Sequence, residues 1–542
     1  MWLPDMNPQE HHGILHWRRR LGLLSGGIAL LAGLVAEALE SGPPLRFVGQ
    51  GGAVCLLANR DDDDRDGLAD ADDDRVNGAA DLGDLAAVVI EAGDPRITAV
   101  ALACDAPAIA WFRRDGEGWQ KLAADDLLPL EAGRADLLVE CRTWATAAPG
   151  WNGEATLTAV GRDAVGQELA RAELPVQVAP VLLVPETRPV REVYVSRGRY
   201  DNDAFVAGLE SLLDRLTVPL RVHDAGAWQE MWMQDTMELG ATAVPDRDGE
   251  AEAAGLTVVL AGLRGVDPFP LTLLGPDVAV AELARQRPLT GGDAWADWYG
   301  NLMAAPATEA WPQGRVIYGR NVATGEAFHP DVIGFLRAQQ AQSPVWIDTS
   351  WLLIKHVDEI VAFLPGRDGR GCLVVVDPLA GLEQARAAGL EQAVGPQAEA
   401  FAETNRRIAA IVAAMLAGGG SEPRAGDADG PGGVVPARAG LLALLGWDPE
   451  RVVRLPVAFE IPGELPPKGL TDATSLWSNP VNALFVNGTV ICGNADMPAA
   501  VIEACRDAFL AAGAQRVEFL DDACYHRMKG NVHCGTNARR TP

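Results

Sequence analysis

MPAAVIEACRDAFLAAG (497–513), QRVEFLDD (515–522) and ACYHRMKGNVHCGTN (523–537) follow one another near the end of the chain. The first carries an apolar stripe at helical spacing, the second is a short strand ending in aspartate, and the third is a loop dense in reactive side chains. The same order occurs at DAFVAGLESLLDRL (203–216), PLRVHD (219–224) and WQEMWMQDTMELG (228–240). It occurs again at HPDVIGFLRAQQAQ (329–342), PVWIDT (344–349) and SWLLIKHVDE (350–359). The three strands end at Asp224, Asp348 and Asp522. Such repetition marks repeated supersecondary units. If three units pack around an axis, their loops converge at one end. Residues 190–542 therefore read as an α/β region.

Upstream the periodicity changes. Residues 45–185 hold short alternating runs such as AAVVIEA, ITAVALAC, AIAWFRR, DLLVECRTW, ATLTAVGRD and ELPVQVAPVLLV. Regular turns between them predict an antiparallel β-sandwich. Pro180 and PETRP (185–189) mark the boundary. LFVNGTVICG (484–493) is a hairpin around Asn487-Gly488. GGGSEPRAGDADGPGG (418–433) reads as a surface insertion. In residues 1–44, the run WRRRLGLLSGGIALLAGLVAEAL (17–39) reads as an export signal of twin-arginine flavour, giving a periplasmic or secreted location. A packed helix of a cytoplasmic protein is the alternative. Glu37 and the shortness of the run argue against a permanent membrane span.

A chain of 542 residues, 48% of them hydrophobic, can bury several cores. Its formal charge of −29 disfavours nucleic acid and favours basic partners. Eight cysteines in this length exclude a disulfide scaffold. Much of the acidity lies in NRDDDDRDGLADADDDRVNGAADLGDL (59–85). Carboxylates at intervals of two suit a hard cation that takes six to eight oxygens. The run is no EF-hand, because the closing glutamate is missing. A solvated acidic loop is the alternative, but the place of the run inside a strand-rich region favours calcium.

Cys534 is the candidate nucleophile, and a thiolate needs a base or a lowered pKa. His533 is adjacent, but neighbours on an extended segment point opposite ways. His356 is therefore the expected histidine, with Asp358 on the same face of an extended stretch. Asp235 comes from a third loop. A protease triad needs at most one carboxylate. Two carboxylates beside a thiol suit a planar cation, because each takes a pair of guanidinium N–H groups.

WMQDTMELG (232–240), DTSWLLIKHVDEIVAFLP (348–365) and YHRMKGNVHCGTNARR (525–540) resemble the catalytic motifs of protein-arginine deiminases. GGDAWADWYGNLMAAP (291–306) and LWSNPVNALFVNG (476–488) add to the likeness, which covers about residues 45–542. It implies an immunoglobulin-like calcium-binding sandwich over 45–185, followed by a five-bladed α/β propeller over 190–542. Cys534 would attack the guanidinium carbon, with Asp235 and Asp358 holding its nitrogens. His356 would protonate the leaving ammonia and activate water. Trp232 would pack on the arginine stem, and Arg264 would hold the substrate's backbone carbonyls. Calcium would be bound through Asn59, Asp61, Asp63, Asp70, Asp81 and Asp84.

The departures are specific. The family's first immunoglobulin-like domain is expected to be absent, since few residues precede the calcium-binding region. Gln234 and Glu238 stand at two positions where vertebrate members hold calcium beside the active site. At two others Thr236 and Met303 replace acidic residues, so calcium gating is expected to be weakened or lost. Met528 replaces a family arginine. The substrate is expected to be arginine within a protein; free arginine or agmatine is the second reading, and a calcium-dependent binding protein on an enzyme scaffold the third. After the cysteine, the Asn-Ala-Arg-Arg tail is expected to return to the surface.

Overall fold

The computed structural model describes residues 43–542 apart from 49–53, 117, 124–125, 147–149, 199–200, 225–230, 243–254, 263–267, 284–292, 323, 326, 391–397, 419–439 and 462–469. Arg264, the segment 17–39 and nearly all of the 418–433 insertion lie outside the described residues.

Two five-stranded sheets come first. One is ordered Leu45–Val48, Ala86–Ala92, Arg134–Cys141, Ile109–Asp115, Gly118–Lys121. The other is ordered Val54–Leu56, Glu168–Val178, Glu154–Arg162, Ala99–Cys104, Leu127–Pro129. Burial alternates along the strands, as in Leu157, Ala159 and Leu174, Val176. These residues join Val88, Ile90, Leu137 and Val139 of the first sheet in one core. Each fully buried aliphatic side chain there contributes about 1.5–3 kcal/mol. All neighbouring strands run antiparallel except Val54–Leu56 and Glu168–Val178, which are parallel.

The run ELPVQVAPVLLV does not form one strand. The sandwich strand stops at Val178, because Pro180 has no N–H to continue the ladder. Val181–Leu183 crosses to pair with Met237–Thr242 of the following region. The Gln339 and Gln342 side chains accept from the Val181 and Leu183 N–H groups at 3.0 and 2.8 Å. The change of sheet thus falls at Pro180, ahead of PETRP. The sandwich core also runs on into Val258, Tyr299 and Phe335, with Trp144 meeting Phe335 edge-on at 6.4 Å.

Among the described residues five further sheets share one pattern: an antiparallel pair, then a third strand parallel to the second. The third strands are Leu220–Asp224, Val278–Ala281, Val345–Asp348, Val452–Pro456 and Arg516–Leu520. Helices Asp203–Leu216, Pro330–Ala338 and Ala499–Ala512 make three of the crossovers with their apolar stripes buried. The last ends at Gly513, whose φ of 117° suits glycine; a Cβ there would meet the Arg367 nitrogen at 2.7 Å. The sequence revealed three of these units. The sheet ending at Ala281 has only a 3-10 turn, Phe269–Leu273, described in its crossover, and the sheet ending at Pro456 carries several helices.

The chain closes on itself. Thr536–Arg540 pairs antiparallel with Val190–Arg197. The tail expected at the surface is a largely buried strand, and Arg540 donates to the Arg188 and Phe485 carbonyls at 3.1 and 3.0 Å. No helix among the described residues is long and apolar enough to cross a membrane.

Candidate active site

Every one of the five third strands feeds a loop into one buried cluster. After Asp224 the chain is described again at Met231, and a single turn, Met233–Thr236, buries Asp235. After Ala281 come Trp295 and Gly300, after Asp348 come His356 and Asp358, and after Pro456 comes Asn482. The loop after Leu520 ends in the turn Val532–Gly535, which carries Cys534. The topology repeated in the five sheets gives the loops after their third strands a common end, so residues far apart in sequence become neighbours.

The Cys534 sulfur lies 3.4 Å from Asp358 Oδ2 and 3.2 Å from Asn482 Nδ2. The Cys534 N–H donates to Asn482 Oδ1 at 3.1 Å. The thiol pKa is held well above its ordinary value, first by burial, then by the Asp358 and Asp235 charges. Asp235 Oδ1 accepts from the Gly300 N–H at 3.2 Å and lies 3.7 Å from His356 Nδ1. Gly300 must be small: a Cβ there would come within 2.5 Å of His356 Nδ1 and 3.0 Å of Asp235 Oδ1. His356 Nε2 is 2.8 Å from the Trp295 carbonyl. A carbonyl only accepts, so Nε2 carries the proton and Nδ1 faces the site.

HVDE is not an extended stretch. His356 caps a 3-10 turn, Val357–Glu359, and its N–H donates to Glu359 Oε1 at 3.3 Å. The turn aims Asp358 at the cysteine and His356 at Asp235. Burial, then the neighbouring Asp358 charge, holds the Glu359 carboxyl well above its ordinary pKa.

The expectation that His533 points away is also wrong. The segment is a helical turn, so adjacent side chains are about 100° apart instead of opposite. His533 Nδ1 is 2.9 Å from Asp358 Oδ2 and Nε2 is 2.9 Å from Glu186 Oε1. Burial alone would lower its pKa, but the Glu186 and Asp358 carboxylates outweigh that and raise it to about 10. Asp358 Oδ1 is buried and has no protein partner, so it is available to a substrate donor. Glu186, Asn482, Gly300 and His533 are thus site residues that sequence reasoning missed. HC in HCGTN was the one available signal.

Trp232 is half-buried, with its ring 5.6 Å from that of Tyr525. A Cβ on Gly530 would strike the Trp232 ring at 2.4 Å and lie 3.2 Å from Cys534 Cβ, so the indole flanks the nucleophile segment. Beneath that segment, Asn531 Nδ2 and Ser478 Oγ donate to buried Asp522 at 2.9 and 2.6 Å.

The acidic run forms a second cluster, in the sandwich. Asp61, Asp63 and Asp84 bring carboxylate oxygens within 4.8 Å of one another. Asn59 Nδ2 donates to Asp81 Oδ1 and Glu140 Oε1, both at 3.0 Å, and the Asp63 N–H donates to Asp70 Oδ2 at 3.0 Å. All six expected residues therefore fall together, and Asn59 Oδ1, Asp61 Oδ1 and Asp63 Oδ2 are buried without a partner. Burial first, with neighbouring carboxylates, pushes Asp61, Asp70 and Asp84 up to about 6, 7 and 8. Orphaned oxygens and crowded carboxylates fit a divalent cation. Asp277, from the turn before Val278–Ala281, was missed: its N–H donates to Asp61 Oδ2 at 3.0 Å, and its charge bears on Asp61, Asp63 and Asp84.

The sequence model of the family described as protein-arginine deiminase matches residues 169–542. Mouse (Mus musculus) protein-arginine deiminase type-4 is 29% identical over 387 residues, 68% of this chain and 55% of the relative. Human (Homo sapiens) protein-arginine deiminase type-3 is 34% identical over 206 residues, 36% of this chain and 29% of the relative. The chain spans about half the length of the type-4 relative. Among solved structures, an agmatine deiminase of C. jejuni covers 68% of this chain and 98% of its own, with 10% identity and a TM-score of 0.36, too low to argue from.

Proposed function

This chain belongs to the protein-arginine deiminase family, and from that premise we propose that it hydrolyses peptidyl arginine to peptidyl citrulline and ammonia. One observation carries the reading: a buried thiol, two carboxylates and a histidine from separate loops meet in one cluster. On this reading the five sheets are the blades of a five-bladed α/β propeller over about 190–542, and the region 45–185 is an immunoglobulin-like sandwich.

Asp358 Oδ1 and Asp235 take the guanidinium N–H groups and set its central carbon against Cys534. The cation's positive charge offsets the carboxylates that hold the thiol protonated, so substrate binding itself favours the thiolate. The Cys534 thiol proton passes to His356 Nδ1, giving the imidazolium, as Sγ bonds to the carbon. The C–N bond then breaks as His356 Nδ1 donates a proton, and ammonia leaves. His356 next takes a proton from water, which attacks the thiouronium carbon. The C–S bond breaks, leaving citrulline and the thiol. Trp232 packs on the substrate's aliphatic stem. The acidic surface steers basic segments toward the site. Acid-quenched mass spectrometry tests this: a His356→Ala chain incubated with an N-acyl-arginine ester should carry the substrate on Cys534, and adduct on another residue would refute it.

The thiol's raised pKa gives a second expectation. Neutral iodoacetamide should modify Cys534 slowly until well above pH 9, whereas a cationic haloacetamidine should react faster at neutral pH. Equal pH profiles for the two reagents would contradict the substrate-assisted step.

Calcium would sit among Asn59, Asp61, Asp63, Asp70, Asp81 and Asp84, with Asp277 tying the sandwich to the catalytic region. The metal-free cluster has a signed pH dependence. Asp61, Asp70 and Asp84 keep protons in the fold that the unfolded chain, at about pKa 3.9, has released. Without metal, stability is therefore present at low pH and lost as pH rises from about 4 to about 8. Calcium competes with those protons and should raise the melting temperature most at the alkaline end. Melts in chelator and in calcium at several pH values measure this; a chelator melting point that rises over that window would contradict it.

A further inference from the structure

Beside the nucleophile turn lies a small, partly open cavity. Its walls include Gln234, Met303 and Asn537, and its ionisable lining residues are Glu186, Glu238, His533 and Arg540. These are two acids and two bases. Both His533 nitrogens face a carboxylate at 2.9 Å, and only the imidazolium has an N–H for each. Arg540 spends one nitrogen on the Arg188 and Phe485 carbonyls while its charge is felt by both Glu186 and Glu238.

The positions where vertebrate relatives hold calcium border this space, and the residues present do not fit that ion. The Thr236 hydroxyl is already committed to the Trp232 carbonyl at 2.9 Å. Met303 is buried in a strand and presents a thioether to the cavity. A hard dication needs several oxygens carrying net negative charge. Here His533 is paired with Glu186, and the Arg540 charge is felt by Glu186 and Glu238, so a dication would meet a wall that already holds two cations. Protonation of Glu238 would only make that wall more positive. Buried carboxylates left without counter-ions would be costly.

The same cations reach the chemistry. His533 fixes Asp358 Oδ2, which leaves Oδ1 for the substrate. Arg540 anchors the strand that directly follows the nucleophile turn. We propose that this pocket, which already holds the cations His533 and Arg540 and lacks the oxygens a dication needs, takes no divalent cation, so that Asp358 and Cys534 are organised without metal. The inference rests on the deiminase reading, but its test does not require turnover.

The full chain is treated with a haloacetamidine, and modification of Cys534 is read by peptide mass spectrometry in chelator and in calcium. An Asp61→Asn, Asp63→Asn chain removes the contribution of the sandwich cluster. Its modification rate should agree within about twofold between the two conditions. Met303→Glu puts a third carboxylate in the cavity; it should slow modification at least about tenfold in chelator, with calcium restoring the rate, while Met303→Leu should respond to neither. A rate about tenfold lower in chelator for the cluster-disabled chain overturns the proposal. So does a Met303→Glu chain indifferent to calcium, a readout that stands if the cluster variant fails to fold. Normal modification without citrulline from any arginine substrate would instead sink the deiminase reading alone.

Discussion

Cys534→Ala is expected to abolish citrulline formation, with a loss of at least about 10⁴-fold in kcat. Every bond change in the proposed reaction passes through Sγ, and the other cysteines offer no substitute. Cys492 and Cys505 are packed in the core with pKa values raised by burial, and Cys524 lies among hydrophobic side chains. The fold should survive, because the backbone of the turn is held independently: the Cys534 N–H is bonded to Asn482 and the Gly535 N–H to the Asn531 carbonyl. Removal of the sulfur leaves Asp358 still paired with His533. The check is citrulline yield alongside a thermal melt. Activity above a tenth of wild type in a folded Cys534→Ala chain would reassign the nucleophile.

Asp358→Asn should cost about 10²–10⁴-fold in kcat/KM while making the thiol more reactive. Asp358 does three things in this structure. Its Oδ2 meets His533 and Cys534, its Oδ1 is left for a donor, and its charge helps to hold the thiol protonated. The amide keeps the shape and loses the charge. Guanidinium binding weakens and the carbon loses its alignment, so both KM and kcat suffer. Loss of the negative charge lowers the thiol pKa, so neutral iodoacetamide should modify Cys534 at a lower pH than in wild type. The two effects run in opposite directions, which a general loss of structure cannot imitate. A variant that loses activity and alkylation together would mean that Asp358 mainly supports the fold.

Much of this site was legible in the sequence because the chemistry repeats on a fixed frame. Helix, strand and reactive loop recurred three times, and those loops hold Asp235, His356 with Asp358, and Cys534. The segments carrying Trp295, Gly300 and Asn482 were part of the family likeness, but no site role was read from those residues. Their contributions are a backbone carbonyl, the absence of a side chain and an amide, none of which has a titratable signature. His533 was misread because one local conformation was assumed for the turn, and a helical turn aims adjacent side chains differently. Glu186 and Asp277 depend on packing between distant segments, which periodicity does not encode. The buried C-terminal strand was missed for the same reason: its partner, Val190–Arg197, lies at the other end of the catalytic region. Carboxylate spacing pointed to a cation in the acidic run, because short-range crowding is written directly in the chain, and the family resemblance supplied the six residues.

The central claim is cysteine-dependent deimination of arginine within a peptide. The most direct measurement is citrulline formation from a peptide blocked at both ends and containing one arginine, compared with free arginine and agmatine, for wild type and Cys534→Ala. The account predicts that wild type converts the peptide in preference to either small molecule, and that Cys534→Ala converts none of them. Turnover confined to free arginine or agmatine, or citrulline formation that survives loss of Cys534, would contradict it.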